Sequence, residues 1–354
     1  MIHFYEEEDR QSSLILNHVG PEVANFCDRY VDLSSSTIQV LSTSNVFNLT
    51  TLPFGEYAGI VNFTKMNDAR RINVFLETLN SKLYLNGYFI GCVETYADRR
   101  KKIFSKYIPP FNWFIYLADS FIHRFMPKFS LTKRVYFYLT KGIGRMVSRA
   151  EMFGRLYSCG FEVVDQLSAK NKLFFVAKKT GEPHFDQNAT YGPLIKLRRV
   201  GKDGKIFRVY KLRTMYPYSE YLQDYVFKHH QLDEGGKFKN DFRISPIGRF
   251  FRKFWIDELP MFWNLIKGDM KLVGVRPLSK HYFSLYTAEV QELRTRVKPG
   301  LIPPFYADMP KTLDDIILSE KKYLELYAKN PFSTDVSYFF KIFTNILFRG
   351  ARSK

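Results

Sequence analysis

The residues best suited to chemistry are an adjacent acid pair, Asp257 and Glu258, set among cations at Arg249, Arg252, Lys253 and Arg276. A carboxylate can attack phosphorus, carry a proton or hold a hard cation, and Arg and Lys are the side chains that grip phosphate oxygens. Acids ringed by cations suit a polyanionic substrate. The plainer alternative makes Asp257 the N-cap of a helix over 258–267, with Glu258 and Pro260 in its first turn and Gly268 ending it. An acid there gains about 0.3–1 kcal/mol from the helix dipole without any catalysis.

The flanking elements must hold that pair in place. Upstream, 193–200 and 207–215 read as two strands about a turn at 201–204, and period 2 puts Lys211 and Arg213 on one face of the second. Two cations on one face suit a diphosphate, although a solvated edge strand gives the same pattern. A helix is expected over 219–230, with His229 and His230 solvated. The stretch 232–240, with Gly235, Gly236 and Lys237, reads either as a basic loop able to close over substrate or as an ordinary surface loop. After the acid pair come an apolar strand over 271–275, a helix capped by Thr312 and Asp315, and an apolar helix over 334–348 that is buried or membrane-seated.

Read as one string, 249–277 is similar to the core signature of the bacterial sugar transferases, the monotopic polyprenyl-phosphate phosphoglycosyl transferases: Asp257-Glu258-Leu259-Pro260, then Gly268-Asp269-Met270, Leu272-Val273-Gly274 and Arg276-Pro277. Arg199-Val200-Gly201, Gly204-Lys205, the run from Tyr210 to Met215, Asp241-Phe242-Arg243 and Val297-Lys298-Pro299-Gly300 also resemble that family's motifs, in the same order. The likeness covers 191–300 and extends more loosely to Arg349. It implies transfer of a sugar phosphate from a UDP-sugar to polyprenyl (undecaprenyl) phosphate, with release of UMP, to start a capsule, exopolysaccharide or O-antigen type glycan. It also implies Asp257 as nucleophile, Glu258 as a Mg²⁺ ligand or proton carrier, and work at the cytoplasmic face of the bacterial inner membrane, peripheral or monotopic. Lys211, Arg213, Arg243, Arg252 and Arg276 are candidates for gripping phosphates, and Asp269 for orienting them.

The chain departs from the family in three places. No membrane-entering hydrophobic helix lies in 161–189, Leu197 and Arg198 stand near the place of a Gln, and Leu301 to Pro304 replace a Thr-Gly. A membrane protein partner would be one substitute for the missing helix, and a non-catalytic membrane-associated adaptor of a glycan assembly complex is the alternative function.

At 354 residues the chain is long for one core. Its net charge of +18 points to anionic partners. With no zinc-finger spacing or RNA-binding strand motif, a membrane surface and phosphates rank ahead of nucleic acid, which is not expected as a partner. The acidic start lacks the apolar core of a secretory signal, and Cys27, Cys92 and Cys159 are far apart and without a CxxC, which suggests reduced core residues.

The fold class expected is α/β in two domains: a partial Rossmann-like unit over 1–182 and an α+β catalytic domain over 189–354, divided in the polar stretch 178–189. In the first, strands at 38–41, 58–63 and 88–93 surround a helix with a stripe at Ile72, Phe75, Leu76, Leu79 and Leu83. Asn67-Asp68 would cap this helix and Gly87 close it. Ser148 and Glu151 form a capping box for a helix ending near 159–160, and 161–164 with 173–177 make an antiparallel hairpin. This order resembles the later half of a class I methyltransferase fold, yet 1–64 holds no GxGxxG, so a degenerate structural or docking domain is expected.

The segment 99–149 is basic and aromatic, with Asp119 as its one acid. A helix over 113–126 would gather Asp119, Ser120, His123 and Arg124 on one face and Trp113, Phe114, Leu117, Phe121 and Phe125 on another. That is the pattern of an interfacial helix, with Trp113, Phe114 and Phe121 as membrane contacts, or of a helix packed on the neighbouring sheet.

Overall fold

The structure, a computed structural model, describes residues 20–185, 192–229, 241–310 and 312–348. The acidic start, His230 and the loop at 232–240 lie outside the described residues. The chain forms two compact units, residues 1–191 with 216–228, and residues 192–215 with 229–354.

The first unit is built on a five-stranded sheet. Strands β1 (Ile38–Leu41), β2 (Tyr57–Lys65) and β3 (Leu83–Val93) run parallel, while β4 (Phe161–Ala169) and β5 (Lys172–Lys179) form an antiparallel hairpin, giving the order β1-β2-β3-β5-β4. The continuous buried runs in β2, β3 and β5 mark strands covered on both faces. Val61, Ile90, Cys92 and Val176 meet Phe26 and Cys27 of the helix Pro21–Asp28 in one core. All three cysteines are free and buried, and burial pushes the thiols up, Cys92 to about 11 and Cys27 and Cys159 to about 12, so none is poised to react. Among the described residues β1 is an edge strand, with no second half beside it to reverse the strand order and open the crevice a dinucleotide would use.

Local readings in this unit need adjustment. The helix Ile72–Asn80 buries the expected Ile72, Phe75, Leu76 and Leu79, but Leu83 and Gly87 belong to β3. Asn67 is no cap: its fully buried amide donates to the carbonyls of Glu94 and Arg145 and accepts from the Glu94 N–H, pinning the end of β3. Ser148 does cap its helix, Arg149–Ser158, by accepting from Glu151 N–H, while the Glu151 carboxylate turns to Arg155 at 2.7 Å. The expected helix at 113–126 is three pieces: an α-helix Phe111–Ser120, a π turn Phe121–Phe125 and a 3₁₀ turn Met126–Lys128.

Residues 216–228 leave the second unit and join the first. Gly154 makes this possible, because a Cβ there would stand 2.2 Å from the Tyr218 carbonyl oxygen. The helix Gln223–His229 then seats Tyr225 edge-on against Phe153, with ring centroids 5.8 Å apart, and buries Val226.

The second unit pairs β6 (Leu194–Val200) with β7 (Ile206–Leu212) antiparallel, and β8 (Lys271–Val273) with β9 (Gly300–Ile302) parallel. Asp203 in the β6–β7 turn takes a left-handed φ of 56°. The helix Leu313–Lys329 begins with the capping box of Thr312 and Asp315, and the helix Pro331–Phe348 buries one stripe (Tyr338, Ile342, Asn345) while Phe332, Phe340 and Phe348 stay exposed. Lys271 locks this last helix onto β8: its Nζ donates to Asp335 at 2.9 Å and to the Tyr323 hydroxyl at 2.9 Å.

Arg294 and Glu320 form an ion pair with side chains only 5% and 1% exposed, and Arg294 also donates to the Arg276 carbonyl. Removing one partner strands a buried charge, which costs about 3–5 kcal/mol. Glu320→Gln is expected to lower stability by about that amount in a urea melt, and a shift under about 1 kcal/mol would show that the pair is hydrated.

Candidate active site

The site grows from β7. Tyr210 and Arg208 expose backbone groups to Asn264, which is fully buried: its amide oxygen accepts from Tyr210 N–H at 3.2 Å and its nitrogen donates to the Arg208 carbonyl at 2.8 Å. Asn264 mimics a neighbouring strand and fastens the segment after the acid pair to the strand that carries Lys211. Val209, Met261 and Met270 seal the joint as a small core with Leu197, Leu265 and Leu301. Asp269 serves the same joint, accepting from the Asn264 amide at 3.2 Å.

The acid pair lies in a 3₁₀ helix, Ile256–Met261, followed by a short α-helix, Phe262–Ile266. Pro260 has no N–H to give to an α ladder, which accounts for the tighter turn. The N-terminal position is Trp255, left-handed at φ 53° and without a side-chain cap bond, so the expected cap role of Asp257 is not what the structure has. Trp255 is held there by its indole N–H, which donates to the Tyr306 hydroxyl at 3.4 Å. Gly268, left-handed at φ 74°, ends the segment as expected.

Lys211 Nζ donates to Glu258 Oε1 at 2.6 Å, both side chains being mostly buried. Asp257 is half-buried beside them. Burial pushes its carboxyl above the ordinary range, an effect that the charges of Lys211 and Arg252 oppose and that of Glu258 reinforces. Burial likewise depresses Arg252, whose charge feels Asp257, Asp241, Arg243 and Arg276, and its Nε donates to Thr214 Oγ1 at 3.0 Å. These couplings collect Asp257, Glu258, Lys211, Arg252 and Arg276 around one point of the second unit.

Arg243 stands further in, only 4% exposed, and holds Asp241 through Nη2 at 2.7 Å and Nε at 2.9 Å. Burial alone would raise the Asp241 carboxyl, but the Arg243 hydrogen bonds and charge outweigh it and hold it low. Arg213 lies just past the end of β7, its Nε donating to the Gly192 carbonyl at 3.0 Å, so the strand alternation does not extend to it. Arg199 was not singled out from the sequence as a site residue. It is half-buried on β6 and its charge is depressed first by burial and then by Arg276, so it belongs to the same cationic field. Its signal was the Arg-Val-Gly motif.

Two close approaches explain the motif glycines. A Cβ on Gly300 would fall 2.1 Å from Gly274 N, and one on Gly248 would fall 2.0 Å from the Thr214 carbonyl oxygen. The first contact packs β8 against β9 just before Arg276, and the second docks the helix Pro246–Lys253, capped by Ser245, against Thr214 and so brings its Arg252 to the Thr214 hydroxyl. Among the described residues no group of three or more His, Cys, Asp or Glu could cage a metal. Adjacent Asp257 and Glu258 instead match a hard cation that takes one or two carboxylates and shares the rest of its shell with substrate phosphates.

A strand-borne lysine locked to one acid of a pair, with arginines around the other, is an arrangement that could hold phosphates, and residues 186–349 match the family model of bacterial sugar transferases. The resemblance drawn from the Asp-Glu-Leu-Pro core therefore holds over the second half of the chain. Among relatives, the galactosyl transferase CpsE of Streptococcus agalactiae serotype III is 44% identical over 113 residues, 31% of this chain and 25% of that protein. The undecaprenyl-phosphate galactose phosphotransferase of Salmonella typhimurium is 39% identical over 134 residues, 36% of this chain and 26% of its own. The UDP-glucose:undecaprenyl-phosphate glucose-1-phosphate transferase of Klebsiella pneumoniae is 36% identical over 113 residues, 31% and 22% of the two chains. The matched part spans about a quarter of the length of these relatives.

Because the folded protein binds a proton at Asp257 more tightly than the unfolded chain does, stability declines as pH rises through the raised value. Asp257→Asn, which cannot ionise, is expected to raise the melting temperature at neutral pH and to lose that advantage as the pH falls below the carboxylate range. A melting temperature at or below wild type near pH 7 would show that Asp257 is not penalised by burial.

Proposed function

We propose that this protein is a phosphoglycosyl transferase that moves a sugar phosphate from a UDP-sugar to polyprenyl (undecaprenyl) phosphate and releases UMP, starting a surface glycan. The observation that carries this reading is Asp257, half-buried, with Lys211 and Arg252 beside it, inside a stretch that matches the sugar transferase family. The printed names of the Salmonella and Klebsiella relatives, an undecaprenyl-phosphate galactose phosphotransferase and a UDP-glucose:undecaprenyl-phosphate glucose-1-phosphate transferase, support the substrate classes.

Donor and acceptor both carry phosphate charge, and direct attack of one on the other would bring two anions together. A covalent relay splits that displacement into two steps, each at a phosphorus whose oxygens the cations can hold. An Asp257 carboxylate oxygen attacks the sugar-proximal phosphorus, the bond from that phosphorus to the bridging oxygen breaks, and UMP leaves with the electron pair. The lipid phosphate oxygen then attacks the same phosphorus and frees Asp257. Burial strips water from the Asp257 anion and leaves it less solvated for attack. Arg252, Arg276 and Arg199 supply positive charge for the phosphate oxygens as negative charge is rearranged. Lys211 holds Glu258 in place by donating a hydrogen bond to it. Glu258, with Asp257, is where Mg²⁺ would be held, and the ion when bound would neutralise diphosphate charge.

The acceptor is a lipid, so we place the reaction at an anionic membrane surface, on the cytoplasmic side of the bacterial inner membrane, in a peripheral or monotopic seat with or without a membrane protein partner. No helix among the described residues is long and apolar enough to cross a membrane. The first unit, a partial Rossmann-like sheet with no opened crevice, then serves structure or docking.

UMP release from a panel of UDP-sugars, with detergent-solubilised polyprenyl phosphate and Mg²⁺, tests the reading. Wild type is expected to turn over one or a few donors, and Asp257→Asn to fall to background while melting as a folded protein. Donor turnover by the Asn variant within about tenfold of wild type would remove Asp257 as the nucleophile. The acid limb of kcat/KM should lie above the ordinary carboxylate range, rate being lost as pH falls and Asp257 takes up its proton. Complete inactivity of folded wild type toward every donor would favour an adaptor.

A further inference from the structure

The helix Phe111–Ser120 of the first unit is inside out. The residues it buries are Asn112 and Ser120, while Phe114, Leu117 and Phe111 are 67%, 60% and 62% exposed and Trp113 is 48% exposed. The apolar surface continues through Phe121 and onto the helix Ser130–Thr140, where Tyr136 is buried but Leu131, Tyr138 and Leu139 are 88%, 85% and 70% exposed. A helix that keeps its amides inside and its aromatics outside is not built for water. The structure rules out the alternative in which this face packs on the sheet.

Charge identifies the occupant. Asp119 is drawn inward, its two oxygens taking Arg99 Nη2 and Nε at 2.5 and 2.6 Å, and Glu94 is buried among Lys65, Arg99 and Lys102. The acids are thus neutralised on the inner side. The adjoining helix Tyr96–Lys106 buries no residue and presents Arg100, Lys101, Lys102 and Lys106, with Arg100 stacked over Trp113 at 5.2 Å. Lys133, Arg134 and Lys141 are exposed on the second helix and its end. Aromatic and aliphatic side chains rimmed by lysines are what an anionic headgroup layer accepts, with long cationic side chains reaching up to phosphates. Protein interfaces, by contrast, are depleted in lysine.

We infer that the two-helix face of residues 111–140 seats the first unit in the headgroup region of an anionic bilayer, lying in the membrane plane. This face lies outside the stretch matched to the sugar transferase family, so it is a membrane contact of the chain's own, and it goes beyond the reaction proposed above.

The test uses the full chain and vesicles of phosphatidylcholine with or without phosphatidylglycerol. Co-sedimentation is expected with the anionic vesicles, weakened by salt. It should drop by at least about tenfold in Trp113→Ser/Phe114→Ser/Phe121→Ser and in Leu131→Ser/Tyr138→Ser/Leu139→Ser. Because these side chains are exposed, circular dichroism and melting temperature should not change. Wild-type binding by both triple variants would overturn the inference, as would equal binding to neutral vesicles. So would a loss of self-association, rather than of vesicle binding, in sedimentation velocity without lipid, which would make the face a site for a second copy. UMP release in detergent, run on the same variants, is expected to persist, so failure of the reaction and failure of the membrane seat read out separately.

Discussion

The candidate site in the second unit depends on the cross-link of Lys211 to Glu258, two residues 47 positions apart whose side chains are mostly buried and meet at 2.6 Å. A pair this shielded is an obligation as much as a bond, because either member alone would be a buried charge. The surrounding structure serves that obligation. Asn264 ties the acid segment to the backbone of β7, Met261 and Met270 keep water from the joint, and Gly248 lets the helix carrying Arg252 come under Thr214. Once Glu258 is committed to Lys211, Asp257 is the neighbouring acid that pays the burial penalty with weaker compensation. The two adjacent carboxylates are differentiated by what faces them, which the bare sequence Asp-Glu cannot express.

Much of this was readable in advance. Strand positions in both units followed from β-rich runs bounded by turns, and β1 falls on 38–41 as read. The cationic field around the acids was visible as residue types. Hidden features were those that turn on three-dimensional partners. Asn67 has the look of a cap but bridges two backbone segments, 27 and 78 residues away. Period 2 linked Lys211 with Arg213, yet the strand stops at Leu212. A left-handed Trp255 could not have been anticipated, since a bulky side chain at positive φ runs against local preference and survives because Tyr306 and the following turn hold it. The glycines of the motifs show their purpose only when the opposite backbone is in view.

The net charge of +18 is also spent in two different ways. In the second unit, arginines stand near one another and near Asp257, and burial, helped by their mutual repulsion, holds Arg199 and Arg252 below their ordinary values. Such crowding is unfavourable until anions arrive, which is a form of preorganisation. In the first unit the cations stand apart on exposed helices where screening by salt is strong. One field is shielded from salt and suited to holding phosphates, and the other is exposed and suited to meeting an anionic surface.

The excursion of residues 216–228 into the first unit bears on how the chain is made. A unit that ended at residue 185 could fold on the ribosome as soon as it emerged, but this one lacks the cover over Phe153 and Gly154 until Leu222, Tyr225 and Val226 have been synthesised. By then β6 and β7 have been made as well, without the later segments that carry Asn264 and Glu258. Completion of the first unit therefore requires the β6–β7 segment to be made before that segment's own partners are translated. The order of synthesis thus sets an order of assembly, and a gene fragment cut between the two units would break the first as surely as the second.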